Sequence, residues 1–189
     1  MEETRFDSAA AEVLNKPSEL WHRIIRYLEP VFESVRKLPY NVCQTAGMTA
    51  CKQIAAELQV SFAEKSTMVT IEGTQQLKND LAAYEDFLTK QASYTDSSML
   101  LLAFTSLNQL TDLLLLWDWN TYFHEYGRKD AKYDRVQPQL VLQILLKMKE
   151  TDRKKSSVFQ NLRKNERDKK KLLDNIIVQL KEILNERLS

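Results

Sequence analysis

Apolar residues recur at steps of three and four along almost the whole chain, and the longest such stretch runs from Met99 to Gly127. Within it Leu100, Phe104, Leu107, Leu110, Leu114 and Trp117 keep the period of one helix face. Leu102, Leu113 and Leu116 lie off that face, so the stripe is wide, as in a helix wrapped by others. A bilayer span would also be apolar all round, but Thr105, Ser106, Asn108, Gln109, Thr111 and Asp112 interrupt the run, and no uninterrupted window of about 18 apolar residues survives. The expectation is the central helix of a bundle, capped near Asp96 to Ser98. It runs into an aromatic cap, Trp117 to Tyr126, and ends at Gly127.

The same pattern predicts the flanking elements. Ser18 is the expected N-cap of a first helix with Leu20, Trp21, Ile24, Ile25, Leu28 and Val31 inward, kinked or split at Pro30. A second helix starts with Pro39 in its first turn. It buries Val42, Ala46, Ala50, Cys51, Ile54, Ala55, Leu58 and Phe62, and small Ala46, Gly47 and Ala50 allow a close neighbour. Lys65 to Val69 is a short connection. The third helix, near 70–90, turns Ile71, Leu77, Leu81, Tyr84, Phe87 and Leu88 inward, with Gly73 weakening its start. After a polar loop, Arg128 to Gln137, Pro138 opens a helix of about three turns carrying Leu140, Val141, Ile144, Leu145 and Met148. A basic connector, Thr151 to Ser157, and a short turn (Val158, Phe159, Leu162) lead to a last helix near 164–188. Its stripe is Leu172, Leu173, Ile176, Ile177, Leu180, Ile183, Leu184 and Leu188. Short connections make successive helices antiparallel neighbours. The fold class is therefore all-α, a row or bundle of helical hairpins with about six helices. Residues 1–16 are expected to be loosely held and 17–189 to form the bundle domain.

Composition sharpens this picture. Three Gly and four Pro in 189 residues supply too little turn chemistry for a sheet protein. The net charge of +1 points in bulk to neither nucleic acid nor membrane. The N-terminus is polar and acidic, unlike a signal peptide. Cys43 and Cys51 lie eight apart on one expected helix, about 12 Å by helical rise, too far for a mutual disulfide. Reduced thiols suit the cytosol.

Catalytic and metal chemistry is thin. Glu19-x-x-His22 has the helical spacing of a di-iron ligand pair, but such sites need a second copy, and Thr121 stands three residues before His124. The glycines are isolated, so no phosphate loop forms, and neither Cys has an activating His or carboxylate pattern. The expectation is no enzyme activity, no metal and no cofactor.

Two features invite binding. From Lys147 to Lys171 eleven Lys and Arg face four Asp and Glu, a local charge of +7. Arg163, Lys164, Arg167, Lys169, Lys170 and Lys171 are candidates for contact with anionic lipid headgroups. The alternatives are a basic zipper, which fails because barely two heptads exist, and a solvated face with i, i+4 pairs, which the interspersed acids favour. The cap residues Trp117, Trp119, Tyr122, Phe123 and Tyr126 read either as rings plugging the bundle end or as exposed interface anchors; packing is the simpler expectation.

Across these residues the chain resembles the C-terminal domain of the Sec-fifteen family, the Rab-effector subunit of the exocyst tethering complex. The likeness rests on Leu38-Pro39, Gln44-Thr45-Ala46, Ala50-Cys51-Lys52, Gln75-Gln76, Leu107-x-Gln109-Leu110-x-Asp112-Leu113 and Trp117-Asp118-Trp119-x-Thr121-Tyr122. It continues through Tyr126-Gly127, Lys132-Tyr133, Arg135-Val136, Lys147-Met148-Lys149 and Arg163 to Lys169, covering about residues 18 to 185. Gly47 and Gln137 depart from the pattern. The resemblance implies an elongated helical rod domain, non-catalytic, that binds a GTP-loaded Rab GTPase and other exocyst subunits. It implies a cytoplasmic protein, peripheral at secretory or recycling vesicles and plasma-membrane exocytic sites. The alternative, from the basic stretch 147–171, is a peripheral module that touches anionic lipid weakly; no nucleic acid is expected. Rab docking needs an apolar surface rimmed by polar groups. The candidates are the loop at Tyr94 and Asp96, and the polar edge Asn108, Gln109 and Asp112 beside Leu113 and Leu116.

Overall fold

The computed structural model describes residues 16–66, 69–91, 97–156 and 164–186, with backbone alone at 20, 91, 97, 154–156, 164–167 and 169. The described residues form an all-α bundle: α1 (Glu19–Val35), α2 (Tyr40–Val60), α3 (Ile71–Gln91), α4 (Ser97–Leu101), α5 (Thr105–Leu116), α6 (Trp119–Glu125), α7 (Pro138–Ser156) and α8 (Lys164–Glu186). Residues 1–15, the turn around Val158, Phe159 and Leu162, and Leu188 lie outside the described residues.

Ser18 caps α1: its hydroxyl accepts the Trp21 amide at 3.1 Å and donates to Asp80 Oδ2 at 2.9 Å. The helix runs through Pro30 without splitting. Pro39 stands just before α2 rather than inside its first turn, and its carbonyl accepts the Cys43 amide. The inward side of α2 is shifted by one residue from the expected one. Cys43, Gly47, Cys51 and Ala55, each four apart, are buried, whereas Val42 is exposed. Gly47 faces α4, where a Cβ would stand in ordinary van der Waals contact with Leu100 Cδ2 at 3.4 Å. At the end of α2 the helix widens into a π turn, Ser61–Lys65. On α3, Thr74 is buried in place of the expected Ile71, its hydroxyl bonded back to the Thr70 carbonyl. That back-bond satisfies the hydroxyl without a partner outside the helix.

The expected central helix is three pieces. A 3₁₀ turn, Leu102–Phe104, joins α4 to α5. Its tighter winding rotates the later side chains relative to the earlier ones, leaving Leu100, Phe104, Leu107, Leu110 and Leu114 all buried while Leu102 is 63% exposed. At the other end Trp117 adopts a left-handed conformation (φ 56°) and stops the helix. Leu116 just before it is 64% exposed, so the expected all-round burial holds for the middle of the helix and fails at both ends. The aromatic run is a separate helix, α6, followed by Gly127 at φ 77°. By length and composition alone Ser98–Leu116 could cross a membrane. Its buried residues instead fill protein cores.

The described residues form two such cores. The N-terminal one gathers Trp21, Phe32, Cys51, Leu81, Tyr84, Phe87, Leu88, Leu100, Phe104 and Leu107 from α1 to α5. The C-terminal one gathers Leu110, Leu113, Leu114, Trp119, Tyr122, Tyr133, Val141, Ile144, Leu145, Ile176, Ile177 and Leu180 from α5 to α8. The boundary falls inside α5, between Leu107 and Leu110. The helix opened by Pro138 is longer than three turns: the expected connector from Thr151 is helical to Ser156. Thr151 is buried there and bonds the Lys147 carbonyl. On α8, Leu172 is exposed and Leu173 takes the inward position.

Candidate interaction surface

The polar edge of α5 is held from two sides. Toward the loop after α6, Gln109 Nε2 donates to Asp134 Oδ1 at 2.9 Å while its Oε1 accepts the Arg135 amide at 2.9 Å. Ser106 Oγ donates to the Arg135 carbonyl at 3.0 Å. Toward α3, Lys78 Nζ pairs with Asp112 Oδ1 at 3.0 Å and donates to Asn108 Oδ1 at 3.1 Å. The Asn108 amide donates in turn to Glu85. Asn108, Gln109 and Asp112 are thus brought together on one face, each with internal partners. Leu113, expected beside them, is fully buried; Leu102 and Leu116 bracket the face instead. Tyr94 and Asp96 lie outside the described residues.

A second cluster escaped the sequence reading, although Asp118, Lys132 and Tyr133 all stood in the quoted motifs. Lys132 Nζ is 2.8 Å from Asp118 Oδ2, and Tyr133 OH donates to the same oxygen at 3.1 Å. The Lys132 hydrogen bond, with help from Thr121 and Tyr133, holds the Asp118 carboxyl at about 2, below its ordinary value. The same bond raises the Lys132 ammonium. Lys132 also donates its amide to Glu125 and lies 5.0 Å from the Tyr133 ring centre. Together these contacts fold the loop back over α6. They enclose a cleft of about 140 Å³ lined by Tyr122, Tyr126, Arg128, Tyr133, Val136 and Pro138. Its volume is that of about one benzene-sized guest.

The aromatic cap packs mainly inward. Trp119 and Tyr122 are buried, and Trp117, Phe123 and Tyr126 are half-buried against the same core. Tyr122 OH donates to the Val136 carbonyl at 3.2 Å. Trp119 Nε1 is buried without a hydrogen-bond partner among the described residues.

Part of the described basic stretch is engaged within the fold. Lys147 Nζ donates to the carbonyls of Glu64 (2.7 Å) and Ser66 (3.0 Å), tying α7 to the π turn, and Lys149 pairs with Asp174. Lys170 and Lys171 are exposed. Arg163 and the side chains of Lys164, Arg167 and Lys169 lie outside the described set.

For catalysis the described residues offer poor material. Burial pushes the Cys51 thiol up to about 11 against a lesser opposing hydrogen bond with Tyr84, which disfavours the nucleophilic thiolate. Burial likewise raises Tyr84, whose hydroxyl otherwise finds no hydrogen-bond partner among the described residues. His22 Nδ1 sits 2.9 Å from the Ser18 carbonyl. No group of three His, Cys, Asp or Glu side chains able to hold a metal gathers among the described residues.

Comparison with known proteins identifies the family. Residues 1–147 match the family model described as exocyst complex subunit Sec15 C-terminal. The chain is 37% identical over 182 residues to human exocyst complex component 6B, covering 95% of this chain and 22% of that protein. It is 36% identical over 163 residues to Drosophila melanogaster exocyst complex component 6, covering 85% and 21%. Caenorhabditis elegans exocyst complex component 6 is 32% identical over 178 residues, covering 93% and 21%. The chain therefore spans about a fifth of the length of these relatives. No solved structure matches. A match of this extent, joined to the all-α bundle, means that the chain belongs to the Sec15 C-terminal family of exocyst subunits.

Proposed function

We propose that this chain is a non-catalytic protein-interaction domain of an exocyst subunit that binds a GTP-loaded Rab GTPase and helps tether secretory vesicles to the plasma membrane before fusion. It would work in the cytoplasm, peripherally at vesicles and exocytic sites, beside other exocyst subunits. Family membership supports the tethering role. The observation that favours a GTPase on the α5 face is its make-up: exposed Leu102 and Leu116 stand at the ends of a polar strip, Gln109 and Asp112, fixed by internal bonds. Apolar groups held on a rigid helix lose little entropy on binding, and a polar rim confers orientation. The charge stretch favours an anionic membrane less, because Lys147 and Lys149 are engaged within the fold.

Calorimetry against GTP- and GDP-loaded Rab proteins tests this. Capture should depend on GTP, and Leu116→Asp should weaken it by about tenfold, 1.4 kcal/mol, with melting unchanged. Binding indifferent to nucleotide, or wild-type affinity in Leu116→Asp, would refute the assignment.

A further inference from the structure

We propose that the cleft between α6, the loop after it and the start of α7 binds a trimethylammonium group of the choline type. This site is separate from the α5 face. Its volume of about 140 Å³ admits a guest as large as benzene, and a trimethylammonium group is smaller still. Three tyrosine rings line it. The ring centre of Tyr122 lies 6.0 Å from that of Tyr126 and 6.3 Å from that of Tyr133, with the planes inclined by 49° and 58°. Rings inclined in this way wall a space from different directions instead of stacking on one another. An aromatic face attracts a cation, and cages of such rings recognise quaternary ammonium groups. Tyr133 already holds one cation near its ring, Lys132 Nζ at 5.0 Å from the centre. That ammonium is neutralised by Asp118 at 2.8 Å and stands outside the lining.

The hydrogen-bonding groups around the cleft select the kind of guest. The hydroxyls of Tyr122 and Tyr133 donate to the Val136 carbonyl and to Asp118. The amides of Arg128, Asp134 and Val136 donate to the carbonyls of Glu125, Ala131 and Tyr133, and Pro138 has no amide hydrogen. An anion, or a neutral guest rich in acceptors, therefore meets donors that are already engaged. Charge points the other way. Glu125 lines the cleft and makes no ion pair among the described residues. Asp134 lines it too, with its charge shared by Arg135 at 3.3 Å. Arg128 is the cation of the lining, and its guanidinium lies 3.5 Å from His124 Nε2, a residue outside that lining. A cation entering the cleft thus meets the Glu125 carboxylate and three ring walls. A lysine ammonium would bring three N–H donors, each needing an acceptor. A quaternary ammonium brings none, and its methyl groups suit the rings and the apolar Val136 and Pro138.

The test titrates the 189-residue chain with choline chloride, against sodium chloride at the same ionic strength, and follows backbone amide resonances by NMR. Amides of Glu125, Tyr126, Ala131 and Asp134 should shift and saturate with a dissociation constant on the order of millimolar. Dimethylbutanol, in which carbon replaces the nitrogen of choline, should bind about fivefold or more weakly. Glu125→Gln keeps an acceptor for the Lys132 amide and should weaken choline while leaving dimethylbutanol unchanged. Tyr126→Leu removes a ring, keeps apolar bulk and should weaken choline by about fivefold, with the melting curve checked for both variants. Phosphatidylcholine vesicles separate the two sources of the group. Co-sedimentation that free choline competes away places it on a lipid headgroup; choline shifts without co-sedimentation place it on a soluble molecule. The inference is overturned if choline moves none of these resonances in the millimolar range, if dimethylbutanol binds as well as choline, or if Glu125→Gln and Tyr126→Leu both bind choline like wild type. A trimethyl-lysine peptide bound about tenfold more tightly than choline would assign the cleft to a protein partner and overturn the choline assignment.

Discussion

In the N-terminal core rings meet rings, edge to face: Trp21 on Tyr84 at 5.4 Å, Tyr84 on Phe104 at 4.9 Å and Phe32 on Phe87 at 5.5 Å. In the C-terminal core the centre is aliphatic, from Leu110, Leu114, Ile144, Leu145 and Leu180, and the rings of α6 close one end. The polar ties differ as well. α1 is fastened at its start, where Asp80 takes both the amide and the hydroxyl of Ser18 and Gln76 bridges Asp80 to the Lys16 carbonyl. The C-terminal half is laced at several points by Gln109, Ser106, Lys132 and Lys147. Ring contacts add stabilisation beyond burial but leave the outer edge of α1 uncovered. Side-chain ties hold a long loop that has no helix of its own. One half thus combines ring packing with ties at the start of α1 and between α3 and α5, the other combines aliphatic packing with a stitched loop, and α5 belongs to both.

The shared helix offers the largest effect. Leu110 is fully buried at the boundary between the cores. Leu110→Ala should cost about 2–5 kcal/mol, read as a shift in the urea midpoint. If the two cores unfold together, Trp21 and Trp119 fluorescence in single-tryptophan variants should shift alike. A loss seen by Trp119 alone would mean that the C-terminal half unfolds independently. Gln109 comes next. Its replacement by Ala removes two hydrogen bonds to the loop, about 1–2 kcal/mol in all, and should speed amide exchange at Arg135 while leaving α1 to α3 unchanged. Protection at Arg135 equal to wild type would show that the loop does not depend on α5.

The smallest effect is a matter of pH. Because the folded protein holds the Asp118 carboxyl at about 2, its contribution is complete above about pH 4. The contribution disappears as pH falls toward the folded value. Melting temperature should therefore fall less steeply over that acid window in Asp118→Asn than in wild type. Parallel acid limbs would assign the acid lability to other carboxylates. Asp118 is half-buried at the surface and its partner Lys132 is exposed, so the effect is modest.

The elements that period alone specifies were legible in the sequence. The Leu107, Leu110, Leu114 stripe, the Ser18 cap, Pro138 opening α7 and the Leu173, Ile176, Ile177, Leu180 stripe all follow from local chemistry. What period cannot see is competition between neighbours for the inward position. On α2 the stripe of Cys43, Gly47, Cys51 and Ala55 faces inward while Val42 stays exposed. On α3 a self-satisfied Thr74 wins over Ile71. The break at Leu102–Phe104 and the left-handed Trp117 carry no local signal, since neither Gly nor Pro marks them; such backbone persists when packing over-determines it. Of the candidate surface, Asn108, Gln109 and Asp112 were legible as a polar edge. Their ties to Asp134, Arg135, Lys78 and Glu85 were not, because those partners are 23 to 34 residues away in sequence.

Native-state hydrogen exchange tests the central claim, that α5 is the spine on which both cores depend. Amides of Leu110 to Leu114 should be the slowest in the chain and should exchange only by global unfolding. In Leu110→Ala, protection of α3 and of α8 should fall together. If α8 lost protection while α3 kept its own, or if α5 exchanged faster than the helices on either side, the two cores would be separate units and α5 a linker between them.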